Sequence, residues 1–283
     1  MKFKLLLALT PFALVLSACK NDDGINEPAS IPAAALVRFV NTTIDTGVVD
    51  FRFTDKVENL PTLLGVKFRG SSGGYQRVTP GTRPVRVFVN STNPVEAQKR
   101  LIDTTITLAA DARYTIFYTG QARGNNDRLD VVADPFTFPT PAAGKIQIRI
   151  FNADASVGAA DVYVARSDTT DPMTKNAATF ANVAFQSYSQ YATVDTASAS
   201  TLYKFAVAPT GAAAAAYASS PNVPGAVAPA GASYGPQPGV RISGSVLAAV
   251  LTGAPTPGSP AATAANQAVT TRVVVLADKV LNP

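Results

Sequence analysis

The chain has 283 residues, 24 basic against 19 acidic, with no histidine, no tryptophan and a single cysteine. Without histidine there is no Ser-His-Asp or Cys-His catalysis, no His-ligated zinc and no ordinary general base near neutrality. One cysteine excludes an intrachain disulfide, and the lysines and arginines form no cluster suited to a nucleic-acid backbone.

Lys2 and Lys4 precede the apolar run Leu5 to Leu16, which Pro11 interrupts. A bilayer span needs roughly 20 apolar residues, so the run reads as a signal-peptide h-region. It closes in Leu16-Ser17-Ala18-Cys19, which resembles the lipobox of bacterial lipoproteins. The resemblance implies a signal peptide over 1–18, cleavage before Cys19 and acylation of its thiol. The protein is then expected in the cell envelope, anchored through Cys19 to the outer membrane and facing either the surface or the periplasm. Each buried methylene contributes about 0.8 kcal/mol, so two or more acyl chains hold durably where one does not. Loss of Lys2 and Lys4 with the signal lowers the formal net charge from +5 to +3. Residues 19–35 follow as a polar, flexible tether. Its opening, Cys19-Lys20-Asn21-Asp22-Asp23, is similar to the short acidic export signal of surface-exposed lipoproteins.

Beyond the tether the sequence repeats itself. Val37-Arg38-Phe39-Val40-Asn41 aligns with Ile148-Arg149-Ile150-Phe151-Asn152, and Gly47 and Asp50 align with Gly158 and Asp161. Gly65-Val66-Lys67-Phe68 matches Asn182-Val183-Ala184-Phe185, Tyr75 matches Tyr191, and Leu129 to Asp134 matches Val273 to Asp278. The order predicts a tandem duplication, residues 36–138 and 144–283, joined by the proline-rich stretch 135–144. Within the first copy, runs at 36–40, 48–53, 84–89, 102–108, 113–119 and 128–132 are rich in Val, Ile, Thr, Phe and Tyr. Several alternate with period two, as half-buried strands do, and Gly, Pro, Asn and Asp punctuate them. The expected fold is all-β: two tandem antiparallel Ig-like sandwiches. No amphipathic helix stands out in the first copy. Residues 208–239 and 254–267, rich in Ala, Pro and Gly, read as disordered hairpin insertions, with one helical turn available to Ala212–Ala216.

The repeated pattern resembles the DUF4397 family, whose members carry an apolar-Arg-apolar strand, a short loop and an Asp-apolar-x-apolar strand. Asp161-Val162-Tyr163-Val164 is a close match and Asp50-Phe51-Arg52-Phe53 a looser one; Ala112 to Gly120 resembles a later strand of the family, with Leu247 to Gly253 as its degenerate copy. The family's usual histidine is replaced by Asn41 and Asn152. The resemblance implies exported β-sandwich modules of unknown activity.

Candidate binding or structural residues are those that recur. Asp50 and Asp161 are expected to fasten loop N–H groups at strand entries. Arg38 and Arg149 are expected to pair with those aspartates across neighbouring strands. Tyr75 and Tyr191 offer rings for stacking on a sugar or peptide, against packing roles in the sheet. Loops at 125–130 and 167–171 carry oxygen ligands but lack EF-hand spacing, so no metal or other cofactor is expected. The resulting expectation is a monomeric, non-catalytic binding, adhesion or structural protein whose partners are the membrane, through Cys19, and an envelope or extracellular glycan or protein. The alternative is a glycan hydrolase, or its accessory subunit, using two carboxylates roughly 5 to 9.5 Å apart.

Overall fold

In the first half, β1 (Ala35–Asn41) lies parallel to β7 (Arg113–Thr119), and β8 (Arg128–Asp134) flanks β7 antiparallel. Two short strands, β3 (Gly70–Ser71) and β4 (Gln76–Val78), pair with the other edge of β1. A second sheet runs β2 (Val49–Phe53), β5 (Gly81–Val89), β6 (Arg100–Leu108), all antiparallel. The computed structural model describes residues 33–56, 63–263, 272–279 and Leu281; Cys19 and the other residues before 33, expected from the sequence to be signal and tether, lie outside them.

The second half repeats the plan. Strand β9 (Lys145–Ala153) lies parallel to β15 (Val246–Thr252), with β16 (Val273–Ala277) beside β15 and β12 (Ala192–Asp195) beside β9. The other sheet has the order β11 (Phe180–Val183), β10 (Ala160–Arg166), β13 (Tyr203–Pro209), β14 (Tyr217–Ser219). The expected all-β sandwiches are therefore present, but the β1–β7 and β9–β15 pairs are parallel. The antiparallel expectation fails for these two pairs because strand alternation does not encode direction.

Side-chain parity explains how four sheets make one body. Val37 and Phe39 of β1, Ile116 and Tyr118 of β7, Phe51 of β2 and Val85 and Val87 of β5 fill the first sandwich. Ile148 and Ile150 of β9, Leu247, Ala249 and Leu251 of β15, Val162 of β10 and Phe205 and Val207 of β13 fill the second. The opposite faces of β1, β7, β9, β15 and β16 are also buried: Val40, Phe117, Phe151, Ala153, Val250 and Leu276 form a third core. The β1–β7 and β9–β15 sheets therefore face each other, giving two inner and two outer sheets. Strands buried on both faces read as near-continuous apolar runs, as VLAAVLT in β15 does. At the centre Phe117 and Phe151 stack at 3.6 Å between ring centroids, with Tyr188 edge-on to both. Residues 33–283 accordingly make one compact unit, and the proline-rich stretch at 135–144 joins two halves that share a core.

The insertions also differ from expectation. Residues 208–239 contain β14 and an antiparallel bridge, Ala226 to Gln237. There the chain crosses itself so closely that a Cβ on Gly239 would meet Gly225 backbone at 2.2 Å. Ala212–Ala216 is a bent, irregular segment leading into β14 rather than a helix. Among the described residues of the first half there is one short α-helix, α1 (Pro94–Ala97), capped by Asn93 accepting the Val95 N–H.

Candidate functional site

Four of the residues singled out in the sequence, Arg38, Arg149, Tyr75 and Tyr191, meet where the inner sheets face each other, with partners other than those expected. Arg38 is fully buried and donates through Nη2 to Asp278 Oδ1 at 2.8 Å and to Thr115 Oγ1 at 2.9 Å, and through Nη1 to the Ala277 carbonyl. Arg149 donates through Nε to Asp278 Oδ2 at 2.7 Å and through Nη2 to Asp134 Oδ1 at 2.5 Å. The Tyr75 hydroxyl donates to Asp134 and the Tyr191 hydroxyl to Asp278. Each tyrosine ring also lies beside the arginine of its own half, at 4.8 Å and 5.1 Å from the guanidinium carbon. The expected pairing of these arginines with Asp50 and Asp161 does not occur. Alternation places Arg38 and Arg149 on the inner sheets' opposing faces, whereas Asp50 and Asp161 belong to the outer sheets.

Two guanidiniums face two carboxylates here, so the charges balance. Burial acts to raise the Asp278 carboxyl, yet the two arginines hold it below the ordinary carboxylate range. Burial together with neighbouring Asp278 pushes the Tyr191 hydroxyl far up, so it remains a donor. Every side chain is paired with another, and the two half-buried tyrosines form the outer edge of the network. Its chemistry is cohesion, and both tyrosine hydroxyls are committed to it, while the Tyr191 ring also lines a cleft of about 390 Å³ beside β11.

Asp50 and Asp161 occupy equivalent places in the two halves. Asp50 accepts the Gly65 N–H and the Asn90 amide on Oδ1 and Arg52 on Oδ2. Asp161 accepts the N–H groups of Asn182 and Gly211. The asparagines at the family's histidine position also correspond. Asn41 donates to the Gly47 and Val66 carbonyls, and Asn152 to those of Gly158 and Val183. The turns they fasten share left-handed backbone at matched positions, Gly65 with Asn182 and Arg69 with Gln186. In the loops considered for calcium, Asp127 accepts the Tyr118 hydroxyl and Asp171 caps α2 (Pro172–Lys175) through the Met173 N–H.

The open site lies elsewhere, at the loop end of the first sandwich. Three connections converge: β1–β2 with Asp45, Thr46 and Val48; β5–β6 with Asn90, Ser91, Glu96 and Lys99; and β7–β8 with Arg123. They enclose about 450 Å³, walled on the remaining side by Pro260 of α3 (Pro260–Thr263), which comes from the second half. The loops are locked. Asp45 accepts the N–H groups of Ala122 and Arg123, Asn90 is held by Asp50, and Ile44 accepts the Thr256 N–H across the halves. Val48, Val89 and Leu101 give aliphatic surface, and Thr46, 8 % exposed, keeps a buried hydroxyl without a partner. A shallower groove of about 590 Å³ runs along the flank between β6 and β8. Of the loop-end residues Gly47 recurs in the repeat alignment, as Gly158, but none of the polar side chains does, so the repeat pattern did not point to them.

Comparison with known proteins addresses the framework rather than the pocket. Residues 35–163 match the DUF4397 family model, a domain of unknown function. The DUF4397 match spans every strand of the first half and ends at Tyr163 in β10. No curated protein matches the chain. Among solved structures the chain is similar to one described under "Alpha-glucan binding by a streptococcal virulence factor", at 12% identity and a TM-score of 0.18, covering 61% of this chain and 79% of that one. A second, described under α-glucan recognition by family 41 carbohydrate-binding modules from streptococcal virulence factors, has 13% identity and a TM-score of 0.20, over 66% of this chain and 88% of that one. Among the described residues no helix is long and apolar enough to cross a membrane, and no group of three or more acidic or cysteine side chains is placed to hold a metal.

Proposed function

We propose that the chain is a lipid-anchored envelope protein whose two DUF4397-type modules, paired face to face, bind the end of a glycan in the loop-end pocket without catalysing a reaction. The pocket is the observation that carries this reading. A hydroxyl-rich ligand needs donors and acceptors side by side, and Asn90, Ser91, Glu96, Lys99 and Arg123 supply both around an aliphatic floor. The non-catalytic reading is supported by the use already made of the carboxylates. Both oxygens of Asp45 are held by backbone N–H groups, Glu96 is paired with Lys99 at 2.8 Å, and Asp50 and Asp161 fasten loops in opposite halves. The second module as a DUF4397 copy is supported by the matched asparagine, aspartate and left-handed turn positions.

The test is a glycan array probed with the full chain alongside Lys99→Met. The change removes an exposed ammonium from the pocket lining, so affinity is expected to fall about 2- to 10-fold, the worth of one hydrogen bond, with the melting temperature unchanged. Silence across the array, or binding indifferent to this substitution, would refute the pocket assignment. The anchor is tested by radiolabelled palmitate, whose incorporation Cys19→Ala is expected to abolish; label retained in that variant would refute the lipobox reading.

A further inference from the structure

A second cluster of charge at the seam between the halves does not balance. Arg69, in the turn before β3, is 4 % exposed and reaches across to donate from Nη2 to the Gly253 carbonyl at 3.0 Å. Its guanidinium face lies 4.7 Å over the Phe68 ring, which leaves the edge donors free. Nε and Nη1 are buried and have no partner among the described residues. The nearest side chains do not answer the charge. Arg272 is itself a cation, donating to Asp154 at 2.6 Å and Ser156 at 3.0 Å, with its guanidinium 3.9 Å over Tyr217. Two guanidiniums thus share one carboxylate, Asp154, where the central network has two of each.

Three local costs meet in one residue. Arg69 holds left-handed backbone at φ 59°, its charge is out of water, and two of its donor atoms are unsatisfied. Burial and then the like charge of Arg272 bring its pKa down to about 10. The turn does not itself require the cation, because its counterpart in the second half is the neutral Gln186, with the same left-handed backbone at φ 61°. Departures from local consistency that the fold does not need are characteristic of functional sites. Ser156, exposed, and Arg272, partly exposed, stand at the solvent side of the cluster.

We propose that Arg69 and Arg272 form an oxyanion-binding site at the seam between the two halves, taking a carboxylate, sulfate or phosphate group whose oxygens accept from Arg69 Nε and Nη1. An anion bound there would complete the charge balance that Asp154 leaves half done, and charge-assisted bonds from arginine suit all three groups. This site is separate from the loop-end pocket, and either stands without the other.

The experiment follows the Arg69 Nε–Hε resonance in the full chain, identified by its disappearance in Arg69→Gln or, independently, Arg69→Lys. Sodium acetate, sulfate and phosphate are titrated against chloride at constant ionic strength. A saturable shift is expected with at least one oxyanion: acetate points to a carboxylate ligand, sulfate or phosphate to a tetrahedral one. Without oxyanion, Arg69→Gln is expected to melt no lower than the wild type, since it removes an uncompensated buried charge. Linear, unsaturable shifts with all three anions would overturn the proposal. So would a marked fall in the melting temperature of Arg69→Gln, the mark of a purely structural arginine.

Discussion

Replacing Asp278 with alanine is expected to destabilise the protein by about 3–5 kcal/mol, because it strands two buried guanidiniums at once. Asp278 accepts from both Arg38 and Arg149, and all three side chains are at most 4 % exposed. Urea unfolding of wild type and variant measures the difference; a loss below about 1 kcal/mol, the range of exposed pairs, would show that the charges are hydrated. The comparison that separates charge from packing replaces Arg38, Asp134, Arg149 and Asp278 together by apolar residues of similar volume. Such replacements are often neutral or stabilising, so the fourfold variant is expected to recover most of what the single one loses. The pH dependence has a defined sign. Against burial, which acts to raise it, Arg38 and Arg149 hold the folded-state pKa of Asp278 below the ordinary carboxylate range. Its stabilisation is therefore complete above the unfolded carboxylate's pKa of about 3.9 and drains away as pH falls below that, through the folded value. The variant, lacking this group, is expected to lose less stability than the wild type between pH 5 and 3 on the same urea assay.

Phe117→Ala should be similarly damaging, by about 3–5 kcal/mol, through the cavity left between the inner sheets. Phe117 is fully buried against Phe151 and Tyr188, two side chains of the opposite half. The larger consequence concerns cooperativity. With a core common to both halves, calorimetry of the wild type is expected to show one transition, and Phe117→Ala should move all of it. Two resolved transitions, only one of them displaced, would mean that each half holds its structure alone.

The strands and their matched order were legible because period-two burial and recurring residues leave marks on a single sequence. Arg38, Arg149, Tyr75, Tyr191 and the pair Asp134 and Asp278 all appear in the repeat alignment. What they touch did not appear. An arginine alternating with valine and phenylalanine in β1 lies on the face opposite theirs, and alternation separates two faces without saying what covers each. Only the apposition of the inner sheets turns that face inward, and it pairs each arginine with the last aspartate of the other half. The loop-end pocket was hidden for a related reason. Asp45, Asn90 and Arg123 sit in three loops of unremarkable composition, and Pro260 arrives from the far half. Arg69 left no signal either, since its unusual features are a backbone angle and a missing partner.

The face-to-face pairing of the inner sheets is reciprocal: Arg38 reaches Asp278 as Arg149 reaches Asp134. A self-complementary surface of this kind closes with two members and leaves no third place, unlike the head-to-tail contact that propagates into filaments. The module pair is thus a finished assembly within one polypeptide, its stoichiometry fixed by covalent linkage rather than by concentration. A partner of the folded body would meet its loop ends, flanks or outer sheets, because the opposed faces of the inner sheets are already buried against each other.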